Sequence, residues 1–321
     1  MMEENINLGN DAQKWFVVVN PNAGNRKIQR DWKRIQKLLK DSGLNFDFAL
    51  TEYASHAIEI TQNAISEGFR RFIALGGDGT YNEVVNGIFK QQEVDTQEFL
   101  TAVIPVGTGN DWGRMYDIPA DYRKAIEVIK MEQVFLQDIG KISYFNHGQM
   151  DFRYFINIAG MGFDALVAQK TNLQKAAGKG NALSYFYNLF AGLLEFKPAV
   201  TDIFVDDKTY SFNTFSISVG ICRYNGGGMM QLPNAIPDDG LLDMTLIKKI
   251  GLGTVIAQLR NLYTGTFIKH PKVATFRGHN IRIRCRRKGF MMEADGESLG
   301  ESPFEINLVP RALKMIINKK P

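Results

Sequence analysis

The segment best suited to chemistry is Gly76-Gly77-Asp78-Gly79-Thr80, which lies between a strand-like and a helix-like stretch. Glycines let the chain bend sharply and bring backbone N–H groups against an anion with no Cβ in the way. A helix that begins just beyond them adds its positive end. Asp78 is the odd member. A carboxylate beside a phosphate is repelled unless a cation bridges them, so one reading gives Asp78 an Mg²⁺ held through oxygen or water. The other makes it a helix cap in a glycine-rich turn. Two more small, polar loops carry glycine: Asn20-Pro21-Asn22-Ala23-Gly24 and Pro105-Val106-Gly107-Thr108-Gly109-Asn110-Asp111. One such loop is often only a turn, whereas three from separate strands can surround a triphosphate. No Gly-x-x-x-x-Gly-Lys-Ser/Thr segment exists, which excludes a P-loop. No Gly-x-Gly-x-x-Gly opens the first helix, so a dinucleotide Rossmann site is unsupported.

These loops need elements to hold them. Trp15 to Val19, Phe72 to Leu75 and Leu100 to Ile104 are short apolar runs, and Phe46, Phe48 and Leu50 alternate. Trp32, Ile35 and Leu39 recur at helical spacing. Ser55 is placed to cap a helix carrying Ala57, Ile58, Ile60, Ala64 and Ile65. Val84, Val85 and Ile88 mark another helix, and Tyr122 to Lys130 a further one. Strands alternating with helices of this length predict βαβ units and a mostly parallel sheet, with its sites at the carboxyl ends of the strands. All three glycine loops fall at such ends.

The pattern changes near residue 140. Ile203/Val205, Tyr210/Phe212, Phe215/Ile217/Val219, Leu242/Met244/Leu246, Ile281/Ile283/Cys285 and Phe304/Ile306/Leu308 alternate with period two. They predict strands with one buried face, largely antiparallel. Helical stretches near 181–196 and 252–263 interrupt them. The expected division is an α/β domain over 1–138 and a β-rich domain over 139–321, with segment 311–321 free to pack back on the first. The length of 321 residues suits two compact domains.

Composition narrows the class. Lys and Arg outnumber Asp and Glu by only 38 to 34, too small a margin to argue for nucleic acid. Cys222 and Cys285 lie too far apart for a metal cluster and are too few for a disulfide framework. They read as reduced thiols of a cytosolic protein. The start Met1-Met2-Glu3-Glu4-Asn5 does not resemble a secretion signal, and no run of about 18 apolar residues exists. His56, His147, His270 and His279 are scattered without metal-ligand spacing. Oligomeric state is not encoded legibly, and a homodimer is left open.

The order Asn20-Pro21-x-Ala23-Gly24, Gly76-Gly77-Asp78-Gly79-Thr80-x-Asn82-Glu83 and Pro105-x-Gly107-Thr108-x-Asn110-Asp111 resembles the diacylglycerol kinase catalytic family. So do Asn157 to Ala165, Asp238-Asp239-Gly240-Leu241-Leu242-Asp243 and Asp295-Gly296-Glu297. The resemblance covers the chain from about Trp15 to Leu308. It implies a phosphofructokinase-like three-layer α/β domain followed by a β-sandwich, with ATP as phosphoryl donor and a lipid as acceptor. Nucleotide contacts are implied for Asn20, Pro21, Asn22, Ala23, Gly24, Thr51, Gly76, Gly77, Asp78, Gly79, Thr80, Tyr81, Asn82, Gly107, Thr108 and Asn110. A structural Mg²⁺ is implied at the Asp239 carboxylate, helped by the backbone carbonyls of Ile236 and Leu241. A catalytic base is implied at Glu297. Gly109 stands where many members carry Ala. The rival readings are an NAD kinase-like phosphotransferase, which shares the Gly-Gly-Asp-Gly-Thr loop, and a lipid-binding protein without catalysis.

A lipid hydroxyl attacks poorly unless a base accepts its proton. Glu297 is favoured for that base, Asp295 as its orienter, and Asp78 competes for the same role. Without the resemblance, Asp238-Asp239-Gly240 after Pro237 has the composition of a solvated turn. Residues 281–288 alternate apolar and basic, as a solvated edge strand or as a contact for anionic lipid headgroups. Leu183, Phe186, Phe190, Leu193 and Leu194, widened by Tyr185, Tyr187 and Leu189, form a stripe that fits a core helix better than a lipid-entry helix. A cytoplasmic protein that touches the inner membrane surface peripherally and transiently is the expected setting.

Overall fold

The computed structural model describes residues 13–107, 109–176, 196–287 and 290–321, without the side chains of 171–176. Thr108, Lys288 and the aromatic stripe at 183–194 lie outside the described residues. The chain forms two compact units. One runs up to Gln137 and takes in Ala312–Lys320; the other is Asp138–Arg311.

In the first unit, β1 (Trp15–Val19), β2 (Phe46–Leu50), β3 (Arg71–Gly76) and β4 (Leu100–Pro105) are parallel, in the order β2-β1-β3-β4. Register aligns their ends: Val19 pairs with both Leu50 and Leu75, and Gly76 pairs with Pro105. The loops that follow β1, β3 and β4 therefore leave one edge of the sheet together. Strands β1 and β3 are buried on both faces, as continuous apolar runs require. One face packs Val17, Val19, Ile73 and Leu75 against Ile28, Ile35 and Leu39 of helix α1 (Ala23–Asp41). On the other, Phe69, Phe16, Phe72 and Phe99 form a chain of edge-on and tilted ring contacts. Helices α2 (His56–Ser66), α3 (Asp78–Lys90), α4 (Asp111–Met115) and α5 (Tyr122–Met131) complete this unit.

The second unit is antiparallel. β7 (Ile158–Gly162), β9 (Lys208–Gly220), β10 (Leu242–Lys248) and β11 (Val273–Gly278) form a run in the order β11-β10-β9-β7. β13 (Met291–Ala294) and β14 (Glu297–Ile316) extend it from β7. β8 (Ala199–Val205) and β12 (Asn280–Cys285) close the other layer, because β12 pairs with β14 and β8, and β8 with β9. β5 (Val134–Asn146) and β6 (Gln149–Phe155) form a hairpin. The core between the layers holds Ile203, Ile217, Met244, Ile281, Phe304 and their neighbours. Helices α6 (Phe163–Ala176) and α7 (Leu252–Thr264) pack outside.

Two expectations about these strands need correcting. Tyr210/Phe212 and Phe215/Ile217/Val219 are out of phase in sequence, yet they belong to one strand, β9. Its first half pairs with β8 and alternates; its second half lies between β7 and β10 and is buried on both faces. Strand β12 is no edge strand, since it has a neighbour on each side. The arginines on β12 and just after it are also partly committed. Arg286 makes a two-pronged bond to Asp202 at 3.0 and 2.8 Å, and Arg282 lies over the Phe204 ring.

Candidate nucleotide and acceptor sites

The three glycine loops are knitted together. The Asn20 side-chain amide donates to Thr80 Oγ1 at 3.0 Å, and its carbonyl accepts the Asn22 N–H at 3.0 Å. The Val106 N–H donates to the Gly76 carbonyl at 2.7 Å. Gly24, Asn25 and Arg26 all have φ near +60°, so the chain makes a left-handed turn before the regular part of α1. A Cβ on Gly24 would meet Val106 Cγ1 at 3.0 Å, besides being strained there. One on Gly107 would lie 2.7 Å from Asn110 Oδ1 and 3.3 Å from the Gly77 Cα. These glycines let the loops touch each other as well as leave N–H groups open.

Asp78 is used by the neighbouring loop. Its Oδ2 accepts the Asp111 N–H at 2.8 Å and its Oδ1 the Trp112 N–H at 3.3 Å. It thus caps α4 from another loop, as an acidic group at a helix start should. That engagement answers the charge that had suggested a metal. Asn110 sits at φ 48°, donates to the Gly107 carbonyl at 3.1 Å, and has a buried Oδ1 with no hydrogen-bond partner among the described residues. A buried acceptor in that state costs free energy unless a ligand or water supplies a donor.

Other predicted contacts fall on either side of the loop cluster. Thr51 is buried, with its N–H on the Val19 carbonyl at 2.8 Å. With Val19, Pro21, Trp32, Leu50 and Glu52 it lines an open groove of about 660 Å³. Tyr81 and Asn82 instead point into the protein. The Tyr81 hydroxyl meets Thr101 Oγ1 at 2.8 Å and its ring packs on Trp112, while Asn82 accepts from Asn86. Their side chains fix α3, so only their backbone could serve a nucleotide. Ser55 makes no side-chain cap. Glu83, quoted in the motif without a role, accepts the Ser55 and Ala57 N–H groups at 3.1 and 3.2 Å and caps α2.

In the second unit, the two acids of Asp295-Gly296-Glu297 differ sharply. Asp295 is buried, and its carboxylate accepts the N–H groups of Ile156, Asn157 and Ile158 at 2.7, 3.0 and 3.2 Å. It is a clamp on the strand entry before β7. Glu297 is exposed and makes no hydrogen bond or ion pair among the described residues. Glu293, which the sequence reading passed over, is buried beneath this turn. Its Oε2 accepts the Gly296 N–H at 2.8 Å and its Oε1 the Asn225 amide at 3.2 Å. Burial, with the charges of Asp164 and Asp295 nearby, pushes its carboxyl up to about 8. Burial also lifts Asp164 to about 6, against a hydrogen bond from Ser218 at 3.1 Å.

The residues implied for Mg²⁺ do not fit one. Asp239 Oδ1 accepts the Leu241 N–H at 3.1 Å, and Oδ2 is ion-paired with Arg277, whose Nε also bonds Asp243 at 3.1 Å. A guanidinium at those oxygens opposes a divalent cation. Among the described residues no group of three His, Cys, Asp or Glu could hold a metal ion. The turn is ordered by Asp138 instead, which accepts the Gly240 and Arg311 N–H groups at 2.8 and 2.7 Å. The turn expected to bind a cation at Asp239, with the Ile236 and Leu241 carbonyls, has that carboxylate ion-paired to Arg277.

Comparison with known proteins bears on both units. Residues 14–142 match the diacylglycerol kinase catalytic domain, and residues 157–317 the YegS C-terminal NAD kinase beta sandwich-like domain. A diacylglycerol kinase of Staphylococcus epidermidis is 30% identical over 293 residues, spanning 89% of this chain and 86% of its own. One from Staphylococcus haemolyticus is 29% identical over 309 residues, spanning 94% and 88%. Among solved structures, a diacylglycerol kinase from Bacillus anthracis superposes with a TM-score of 0.72 at 23% identity, over 95% of this chain and 97% of that one. Yeast NADH kinase complexed with NADH superposes at 0.57 and 12% identity, over 97% and 85%. At these identities the structures speak for the fold alone: an α/β domain followed by a β-sandwich-like one.

Proposed function

Because the chain belongs to the diacylglycerol kinase catalytic family, we propose that it transfers the γ-phosphoryl group of ATP to a lipid hydroxyl, with diacylglycerol the first acceptor to test. The observation that carries this reading is the set of three hydrogen-bonded glycine loops at the carboxyl ends of β1, β3 and β4. Their arrangement suits an oligophosphate, with the start of α3 offering backbone N–H groups and its positive end. The groove beside Thr51 and Trp32 suits the flatter remainder of a nucleotide.

In the proposed reaction the lipid oxygen bonds to the γ-phosphorus as the bond to the β–γ bridging oxygen breaks, and ADP leaves. The hydroxyl proton passes to a carboxylate. Glu297 is the base for this, because Asp295 and Asp78 both have their oxygens on backbone N–H groups. Asp295 and Glu293 hold the turn that carries it. No step passes through a metal at Asp239.

A radiolabelled-ATP assay against diacylglycerol, ceramide, a sphingoid base, phosphatidylglycerol and NAD tests the proposal. Label in a lipid product supports it. Label in NAD alone would move the protein to the activity of the enzymes whose fold it shares, and no transfer to any acceptor would leave a lipid-binding protein. Among the described residues no helix is long and apolar enough to cross a membrane, so a bilayer-resident acceptor has to be met by a surface of the protein.

A further inference from the structure

Charge is distributed unevenly along the chain. Between Asp243 and Glu293 there is no Asp or Glu, but there are eleven Lys or Arg. The whole chain carries a net charge of only +4, so the remainder is net acidic. Helix α7 lies in the middle of this stretch, and none of its residues is fully buried. Val255, Leu259 and Leu262 turn inward and border a small apolar pocket with Phe215, Ile247 and Ile250. Leu252, Ile256 and Tyr263 turn outward and are 41%, 46% and 45% exposed. At about 100° per residue these three fall within roughly 40° of one another on the helix. Single exposed apolar residues are ordinary, but three on one stripe of a short helix are a face.

Basic side chains lie on α7 and next to it along the chain. Lys249, Arg260, Lys269 and Lys272 are exposed, and none forms an ion pair among the described residues. The Lys248 N–H donates to the Lys272 carbonyl at 2.8 Å, which brings the two ends of the segment together. In the same stretch Arg277 and Arg286 are paired with acids, whereas the four basic residues on and beside α7 are not. A large apolar stripe edged by unneutralised Lys and Arg is the pattern of a helix that lies in a membrane interface. The charge attracts anionic headgroups, and the stripe enters the boundary with the acyl chains.

We propose that the outer face of α7 docks the protein on anionic bilayers, with Leu252, Ile256 and Tyr263 inserted and Lys249, Arg260, Lys269 and Lys272 against the headgroups. The purpose assigned to docking rests on the lipid-kinase reading, but docking itself can be measured without turnover. The full chain is floated with vesicles of phosphatidylcholine alone, and of phosphatidylcholine mixed with phosphatidylglycerol. Binding is expected only to the mixed vesicles and should weaken as salt rises. The triple variant Leu252→Ser, Ile256→Ser, Tyr263→Ser and the charge variant Lys249→Gln, Arg260→Gln, Lys269→Gln, Lys272→Gln should each lower binding by about tenfold or more. The charge variant alters only exposed side chains, so it decides the matter even where the triple variant does not fold. On a short-chain lipid dissolved as monomer, both variants should keep wild-type turnover. Undiminished binding in the charge variant, or equal binding to neutral vesicles, overturns the proposal. Absence of lipid phosphorylation with these binding results intact would instead sink the kinase reading and leave the docking surface standing.

Discussion

Glu297 and Asp295 are two residues apart, yet the structure gives them different tasks. The Glu297 carboxylate is exposed and uncommitted among the described residues, whereas Asp295 accepts three backbone N–H groups. Glu297→Gln should therefore lower turnover by at least about tenfold to a hundredfold, as loss of a general base does, with nucleotide affinity kept. Turnover near the wild-type level would remove Glu297 from the reaction. Asp295→Asn presents one carbonyl and an NH₂ to donors that faced two oxygens. Losing charge-assisted bonds at a buried site should destabilise the β-rich unit by about 1–3 kcal/mol, read as a lower midpoint in denaturant. An unchanged midpoint with reduced turnover would make Asp295 chemical rather than structural.

At the scale of elements, the question is what Asp78 does. Its oxygens cap α4 across the gap between two glycine loops. Asp78→Asn should loosen the loop after β4 and raise the nucleotide dissociation constant severalfold, since a capping contact is worth about 1 kcal/mol. If Asp78 were the base, turnover would fall with nucleotide binding intact. Measuring binding and turnover separately distinguishes the two. The elements themselves are largely legible in the sequence, because a buried strand and an amphipathic helix each leave a period in the chain. The glycine loops are legible because three of them recur at the ends of separate strands, where one alone would often be only a turn. The caps are not. Glu83 reaches residues 26 and 28 positions away, Asp78 reaches 33 and 34, and Asp295 reaches 137 to 139. No local pattern marks an acid whose donors arrive from another loop, so Ser55 looked like the cap of α2, and the cap reading of Asp78 pointed to the helix that follows it rather than to α4. Arg277 beside Asp239 escaped notice in the same way, 38 residues along the chain.

For the molecule as a whole, the distribution of buried acids sets how stability responds to pH. Four carboxyls of the β-rich unit are held above their ordinary range, in each case first by burial: Asp138, Asp164, Asp243 and Glu293. Glu293 rises to about 8 and Asp164 to about 6. A raised folded-state value means that the native protein binds more protons than the unfolded chain between the two values. Stability in that window must then fall as pH rises, by up to about 1.4 kcal/mol per pH unit for each group that titrates. Asp202, held down by Arg286, acts in the opposite sense, but only in acid below the ordinary carboxylate value. The expected result is a melting temperature of the β-rich unit that climbs as pH is lowered from about 8 to about 6. Most simple proteins rich in exposed ion pairs would show little change there. Glu293→Gln keeps an uncharged side chain of the same size beneath the Gly296 N–H, and so should flatten the slope across this window and leave the variant more stable than wild type within it, the two converging only in acid below the ordinary carboxylate value. A wild-type profile that is level or rising with pH across this window would mean that Glu293 carries no proton, and that the turn bearing Glu297 rests on a buried charge instead.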